Sequence, residues 1–257
     1  MTTLLTNLQA ATLTISLNRP ERANALNFDM IAELRAALDQ AATNAQIRCV
    51  VLTGVGNSFC AGHDITEMLA VQGQDISYRE HLEQTYNPLI LQIRQLEKPV
   101  IAAINGPVAG AGLGVALACD LRIAAETALF TVGFTRLGLV PDSAVSLLLP
   151  ALIGLGRATE FTFTNQPITA AQALEWGMVN QIVPENKMAE TVAKLATGLV
   201  SGPTSTFGLT KRLFNRNVLP NLEKALKFEG ELQEIASQSR EHVEGVKAFF
   251  EKRKPTY

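Results

Sequence analysis

The sequence predicts an α/β protein: a largely parallel sheet with crossover helices, followed by a helical C-terminal region. Strand-like apolar runs recur along the first half of the chain, each followed by a loop and a stretch of helical spacing. Two glycine-containing loops, at 54–62 and 106–114, follow two of those runs. From Val140 onward the pattern is mainly helical. At 257 residues the chain is long enough for a core domain, placed at 1–200, and a smaller helical appendage, placed at 201–257.

In "TLTISL", Leu13, Ile15 and Leu17 alternate with Thr and Ser, which predicts a half-buried strand. "NRPERANAL" makes a loop, and Asn27 is placed to cap a helix in which Phe28, Ile31, Leu34, Leu38 and Ala41 recur at helical spacing. "CVVLTG" suits a strand buried on both faces; a loop and a helix over about 77–96 follow it. "PVIAAIN" begins the next pass and leads through the glycine turn into "LGVALA"; "CDLRIAA" and "ALFTV" then read as strands. Further on, Met188, Val192, Leu195 and Leu199 share one helix face, and Val243, Val246, Phe249 and Phe250 share another. Such faces cover either the main domain or a neighbouring subunit.

The balance of 22 Lys+Arg against 24 Asp+Glu, a net charge of -2, argues against nucleic acid or an anionic membrane as the main partner. Cys49, Cys60 and Cys119 form no metal motif and no even-numbered disulfide set, and they read as reduced core residues. With no signal-like N-terminus and no apolar run of about 18 residues, the sequence predicts a soluble cytoplasmic protein.

In "NGPVAGAGLG", Gly114 is followed by Val115 and Ala116, so the Lys and hydroxyl pair of a phosphate-binding P-loop is missing, and the spacing is not GxGxxG. With three histidines, no GxSxG and no HExxH, a hydrolase triad or zinc site has little to work with. An oxyanion hole remains: backbone N–H groups from the two loops converge on a carbonyl oxygen, and the following helix favours negative charge there. The alternative is that the glycines only permit tight packing of helix on strand. Between Ala128 and Leu155 only Arg136 and Asp142 are charged, so desolvation should raise the Asp142 pKa and make it an acid/base. A plain helix cap by Asp142 or Ser143 fits the same stretch.

"LNRPERANAL", "FCAGHDITEM", "KPVIAAINGPVAGAGLGVALACDLRIAAETALF", "RLGLVPD", "ITAAQALEWGMVNQIV" and "EGVKAFFEKRKP" together resemble the crotonase, or enoyl-CoA hydratase/isomerase, superfamily across nearly the whole chain. The resemblance implies a spiral of ββα units with a C-terminal helical trimerisation region, assembled as a homotrimer or a dimer of trimers. It implies an acyl-CoA substrate, with coenzyme A entering as part of that substrate and no separate cofactor or metal. It puts the oxyanion hole at the backbone N–H groups of His63 and Ala111. The His63 side chain is then expected to line the acyl pocket or face solvent. CoA is expected at Arg19, Arg22, Ala61, Asp64 and Ile65, and at Lys211 and Lys252 if a neighbouring subunit contributes them, and the acyl pocket at Phe134, Val140 and Leu147.

The departures matter as much as the matches. The two glutamates that hydratases of this family use correspond here to Gly114 and Phe134, neither of which accepts a proton. Asp142 falls where the isomerases place an aspartate, and the surrounding segment is most similar to the ring-1,2-epoxyphenylacetyl-CoA isomerase branch, although Ser143, Ala144 and Val145 replace glycines often found there. The expected activity is isomerisation of an unsaturated or ring-epoxide acyl-CoA. Hydration or a lyase reaction, and a non-catalytic acyl-CoA-binding oligomer, are the alternatives.

Overall fold

The computed structural model describes residues 2–70 and 77–257. Its main sheet joins β1 (Leu4–Gln9), β2 (Thr12–Leu17), β3 (Cys49–Gly54), β4 (Val100–Ile104), β6 (Leu121–Ala125) and β9 (Gln181–Val183) in the order β1-β2-β3-β4-β6-β9. Only the β1–β2 hairpin is antiparallel; the other neighbours run parallel. A small second sheet holds β5 (Val108–Ala109), β7 (Leu129–Thr131) and β8 (Ile168–Thr169). Repeated strand, loop and helix passes of this kind bring the loops after β3 and β4 to the same end of the sheet.

Helices α1 (Phe28–Thr43), α2 (Ile65–Ala70), α3 (Tyr78–Gln84), α4 (Tyr86–Gln95) and α5 (Gly110–Ala118) complete the first half. Asn27 caps α1 as its sequence suggests, its side chain accepting the Met30 N–H at 3.0 Å. The single helix expected over 77–96 is instead two, divided at Thr85, whose φ of -118° and ψ of -76° interrupt the ladder. Pro88 explains the break, because it has no N–H to give Gln84 and its ring crowds that carbonyl.

The second half contains α6 (Val145–Ile153), α7 (Leu155–Thr164), α8 (Ala170–Glu175), α9 (Met188–Ser201), α10 (Thr204–Val218), α11 (Leu222–Ser237) and α12 (Arg240–Phe250). On α9, Met188 and Val192 are buried, with Leu195 and Leu199 packed beside them against the outer face of β3, β4 and β6. On α12 the expected face does not pack on its own chain: His242, Gly245 and Ala248 are buried, Val246 is half-buried, and Val243, Phe249 and Phe250 are exposed. The reason is proximity. A methyl group on Gly245 would lie 2.7 Å from the Leu137 carbonyl carbon, so α12 lies too close to that backbone for bulky residues. Residues 201–257 pack on the main core of the same chain, with α11 against α3, α4 and α6 and α12 against the turn at 134–137.

Two apolar clusters lie on the two faces of the sheet, the larger between the sheet and α1, α4 and α5. All three cysteines are free and buried, and burial pushes each thiol up to about 12. Among the described residues no helix is long and apolar enough to cross a membrane.

Candidate active site

Because β3 and β4 are parallel neighbours, the loops leaving their carboxyl ends lie side by side. Cys60 bridges Val108, and the Ala109 N–H donates to the Cys60 carbonyl at 3.0 Å. On the other side, Leu26 N–H donates to Gly62 O at 2.7 Å, and Asp64 N–H donates to Leu26 O at 2.9 Å. Extended backbone alternates its polar groups, so the His63 N–H between them is turned away from Leu26. Gly62 has φ +95°, and a methyl group there would stand 2.9 Å from Ala109 O and 3.4 Å from Ala111 N. Only glycine lets the loops approach this closely. Ala111 is the second residue of α5, where helix geometry leaves the N–H without an intrahelical acceptor. Among the described residues, neither the His63 nor the Ala111 N–H has a protein acceptor. Two preorganised donors beside a helix N-terminus are suited to an oxygen that gains negative charge.

Gly114, one turn further along α5, faces a different neighbour. A methyl group on it would lie 2.4 Å from Ser143 O and 2.7 Å from Ser143 Cβ, so the Asp142–Ser143 segment fills the space a side chain at 114 would need. Asp142 itself is 6% exposed. Burial pushes its carboxyl up to about 6, against the opposing effect of hydrogen bonds from Ser143 Oγ and Gln233 Nε2, each 2.8 Å long. The carboxylate is therefore not capping α6. That helix starts after Ala144 with no side-chain cap of its own, and the Ala144 and Ser146 N–H groups go to Glu229. Of the expected acyl-pocket residues, Phe134 is buried in the core, while Val140 and Leu147 are half-buried in the segments on either side of Asp142.

The His63 side chain is turned inward, contrary to a solvent-facing position. Its Nδ1 lies 2.7 Å from the Tyr86 hydroxyl, and its ring packs edge-on against His81 at 5.0 Å. Burial, with a smaller contribution from His81, pushes its pKa down to about 3, so the imidazole is neutral. Tyr78 reaches the site region from α3: its hydroxyl is 2.9 Å from His242 Nε2, while His242 Nδ1 is 2.8 Å from Leu137 O. A carbonyl can only accept, so Nδ1 carries the proton and Tyr78 donates to Nε2.

Several residues expected at CoA have other partners. Arg19 donates to Asp64 Oδ2 at 2.8 Å and to Ala25 O at 2.6 Å, so this pair ties the loop after β2 to the segment following Gly62 rather than presenting a free cation. Burial opposes ionisation of Asp64, but bonds from Thr66 and Arg19 and the Arg19 charge hold its pKa below the ordinary value. Lys211 is a clearer correction. It is 7% exposed and donates to Ile93 O at 2.7 Å and Asp120 Oδ2 at 2.8 Å, beside the first residue of β4 and therefore at the opposite end of the sheet. A cleft of about 570 Å³ at that end, lined by Arg94, Lys211, Arg212 and Arg216, is correspondingly remote from the two glycine loops. Arg22, Ala61 and Lys252 are exposed, and Ile65 is half-buried at the start of α2.

Gln233 and Glu229 are the residues that sequence reasoning missed. The available signal was the stripe Leu222, Leu226, Glu229, Gly230 and Gln233, where an apolar face continues into two polar residues that are nonetheless buried.

Comparison with known proteins gives the family of this chain. Relatives include the 1,2-epoxyphenylacetyl-CoA isomerase of Escherichia coli, 39% identical over 99% of this chain and 97% of that protein. A short-chain-enoyl-CoA hydratase of Clostridium acetobutylicum is 34% identical over 93% of this chain and 91% of that protein. Among solved structures, an enoyl-CoA hydratase from Mycobacterium avium subsp. paratuberculosis superposes with a TM-score of 0.88 at 33% identity, covering 99% of this chain and 98% of that one. The family profile described as enoyl-CoA hydratase/isomerase matches residues 7–257. The paired glycine loops thus sit in a crotonase fold, and this chain is an enzyme of the enoyl-CoA hydratase/isomerase family.

Proposed function

We propose that the protein isomerises an unsaturated acyl-CoA by moving a double bond, with Asp142 as the single acid/base. The observation that carries this reading is the packing of Ser143 against Gly114: a methyl group at 114 would stand 2.4 Å from Ser143 O, so that position of α5 has no room for a carboxylate side chain. Phe134 occupies the other position where the resemblance places a hydratase glutamate. In a 3-enoyl thioester the C2 proton is both α to the carbonyl and allylic. Asp142 takes it, the electron pair moves into a dienolate whose oxygen rests on the His63 and Ala111 N–H groups, and the same carboxyl returns the proton at C4. Atoms balance without water or an external acid.

The buried setting of Asp142 matches its task, because a pKa near 6 gives a stronger base than an ordinary aspartate that is still ionised at neutral pH. The similarity to an epoxyphenylacetyl-CoA isomerase supports a ring-epoxide thioester as a further substrate of the same oxyanion site. Hydratase-named relatives motivate hydration as the second reading. Arg22 and Lys252 remain the phosphate contacts of this proposal, with Ala61 and Ile65 beside the CoA chain. The exposed apolar residues Leu213, Phe214, Phe228 and Val243 on α10 to α12 support assembly of several copies, as a trimer or a dimer of trimers.

The test is 3-enoyl-CoA incubated in D2O with wild type and Asp142→Asn, followed by proton NMR and mass spectrometry. The expected result is a 2-enoyl product without the mass of added water, with kcat reduced about 10²- to 10⁴-fold in the variant. A hydrated product, or a variant as fast as wild type, would overturn the reading.

A further inference from the structure

This inference rests on Asp142 being the base. The residues after it hold an uncommon conformation: Ser143 and Ala144 are consecutive non-glycine residues with φ of 55° and 63°. Side chains adopt that region only where their surroundings hold them there. The support comes from α11. Glu229 Oε2 accepts the Ala144 N–H at 2.9 Å; Oε1 accepts the Ser146 N–H at 3.0 Å and also the Ser146 hydroxyl. One turn later Gln233 accepts the Val140 N–H at 3.0 Å through Oε1 and donates to Asp142 through Nε2.

Glu229 is 4% exposed, and the isomerisation gives it no proton to carry. Both of its oxygens are used on the start of α6, where a cap is ordinarily supplied by the residue just before the helix. Here the carboxylate comes from 85 residues downstream. Burial pushes Glu229 up to about 7, and the charge of Asp142 adds to that, which places the two carboxyls within electrostatic reach of each other.

We propose that Glu229 is a positioning residue for the reaction: by capping α6 from α11 it holds the left-handed Ser143–Ala144 turn and so fixes where the Asp142 carboxylate meets the substrate. Glu229→Gln tests this, because the amide has one carbonyl oxygen for two N–H groups and presents its NH2 to the other. With 3-enoyl-CoA, kcat should fall about 10- to 100-fold while KM stays within about twofold. In D2O the 2-enoyl product should carry more solvent deuterium than with wild type, since a loosely held Asp142 exchanges its proton before returning it. Ser146→Ala removes only the hydroxyl donor; it should lose about two- to fivefold in kcat with the same rise in deuterium.

Circular dichroism melting checks that each variant folds. If Glu229→Gln does not fold, Ser146→Ala decides. Wild-type kcat and deuterium content in the deciding variant would overturn the proposal, as would a raised KM at unchanged kcat. Asp142→Asn, assayed alongside, separates the two levels. An active Asp142→Asn overturns the base and this inference together, whereas an inactive one beside a wild-type-like Glu229→Gln overturns only the inference.

Discussion

Ala111 and Gly114 lie one turn apart on α5, yet the two halves of the site they border are built in different ways. The proposed oxyanion side consists of backbone N–H groups, set by neighbouring parallel strands and by the glycine at 62. The Asp142 side consists of side chains, and its partner Gln233 is 91 residues away in sequence. A backbone site tolerates most side-chain changes but no added methyl where loops touch. A side-chain site tolerates local change but depends on whatever distant helix orients it.

The contrast breaks most directly at Gly62→Ala. The new methyl would stand 2.9 Å from Ala109 O at a φ of +95°, pushing the two donors apart. Loss of a well-placed oxyanion donor costs about 10²- to 10³-fold in kcat. Steady-state kinetics of the folded variant, with KM near wild type, measures it; a loss of less than about threefold would mean the loops are not the oxyanion site.

Gln233→Leu probes the other half with a smaller effect. It removes a hydrogen bond that favours the ionised Asp142, so the pKa, already raised to about 6 by burial, should climb further. The base acts when ionised, so the acid limb of the kcat/KM profile should move to higher pH by on the order of one unit. An unmoved limb would detach Gln233 from the base.

The smallest effect is on stability, and its sign follows from linkage. The Asp142 pKa rises from 3.8 to about 6 on folding, so between those values the unfolded chain releases its proton first and wild type loses stability as pH increases. Asp142→Asn has no charge to bury. Thermal melting should find it more stable than wild type at about pH 8, by on the order of 2 kcal/mol, with the gap closing towards about pH 4.

The same contrast decides what was legible in the sequence. The strands at 12–17, 49–54 and 100–104, the Asn27 cap and the paired glycine loops are local patterns, and each is where its residues suggest. Strand β1 was missed because only Leu4 of "LLTNLQ" is buried, which leaves no alternation to read. Lys211 reads as a cation for CoA until the fold places it against Asp120. Gln233 and Glu229 stand in a helix rich in polar residues, and only the packing of α11 on α3 and α6 shows which of them face inward.

The contact between Gly114 and Ser143 also constrains how such a protein changes by mutation. A single-nucleotide substitution separates some glycine codons from glutamate codons, so the two residues are neighbours in the genetic code. In this molecule they are not interchangeable, because a side chain at 114 collides with the Ser143 backbone unless the 142–144 turn has already moved. Moving that turn first would displace Asp142, the base proposed above, while nothing yet replaces it. A glutamate at 114 therefore needs a second change, in the 142–144 turn, before it can be accommodated.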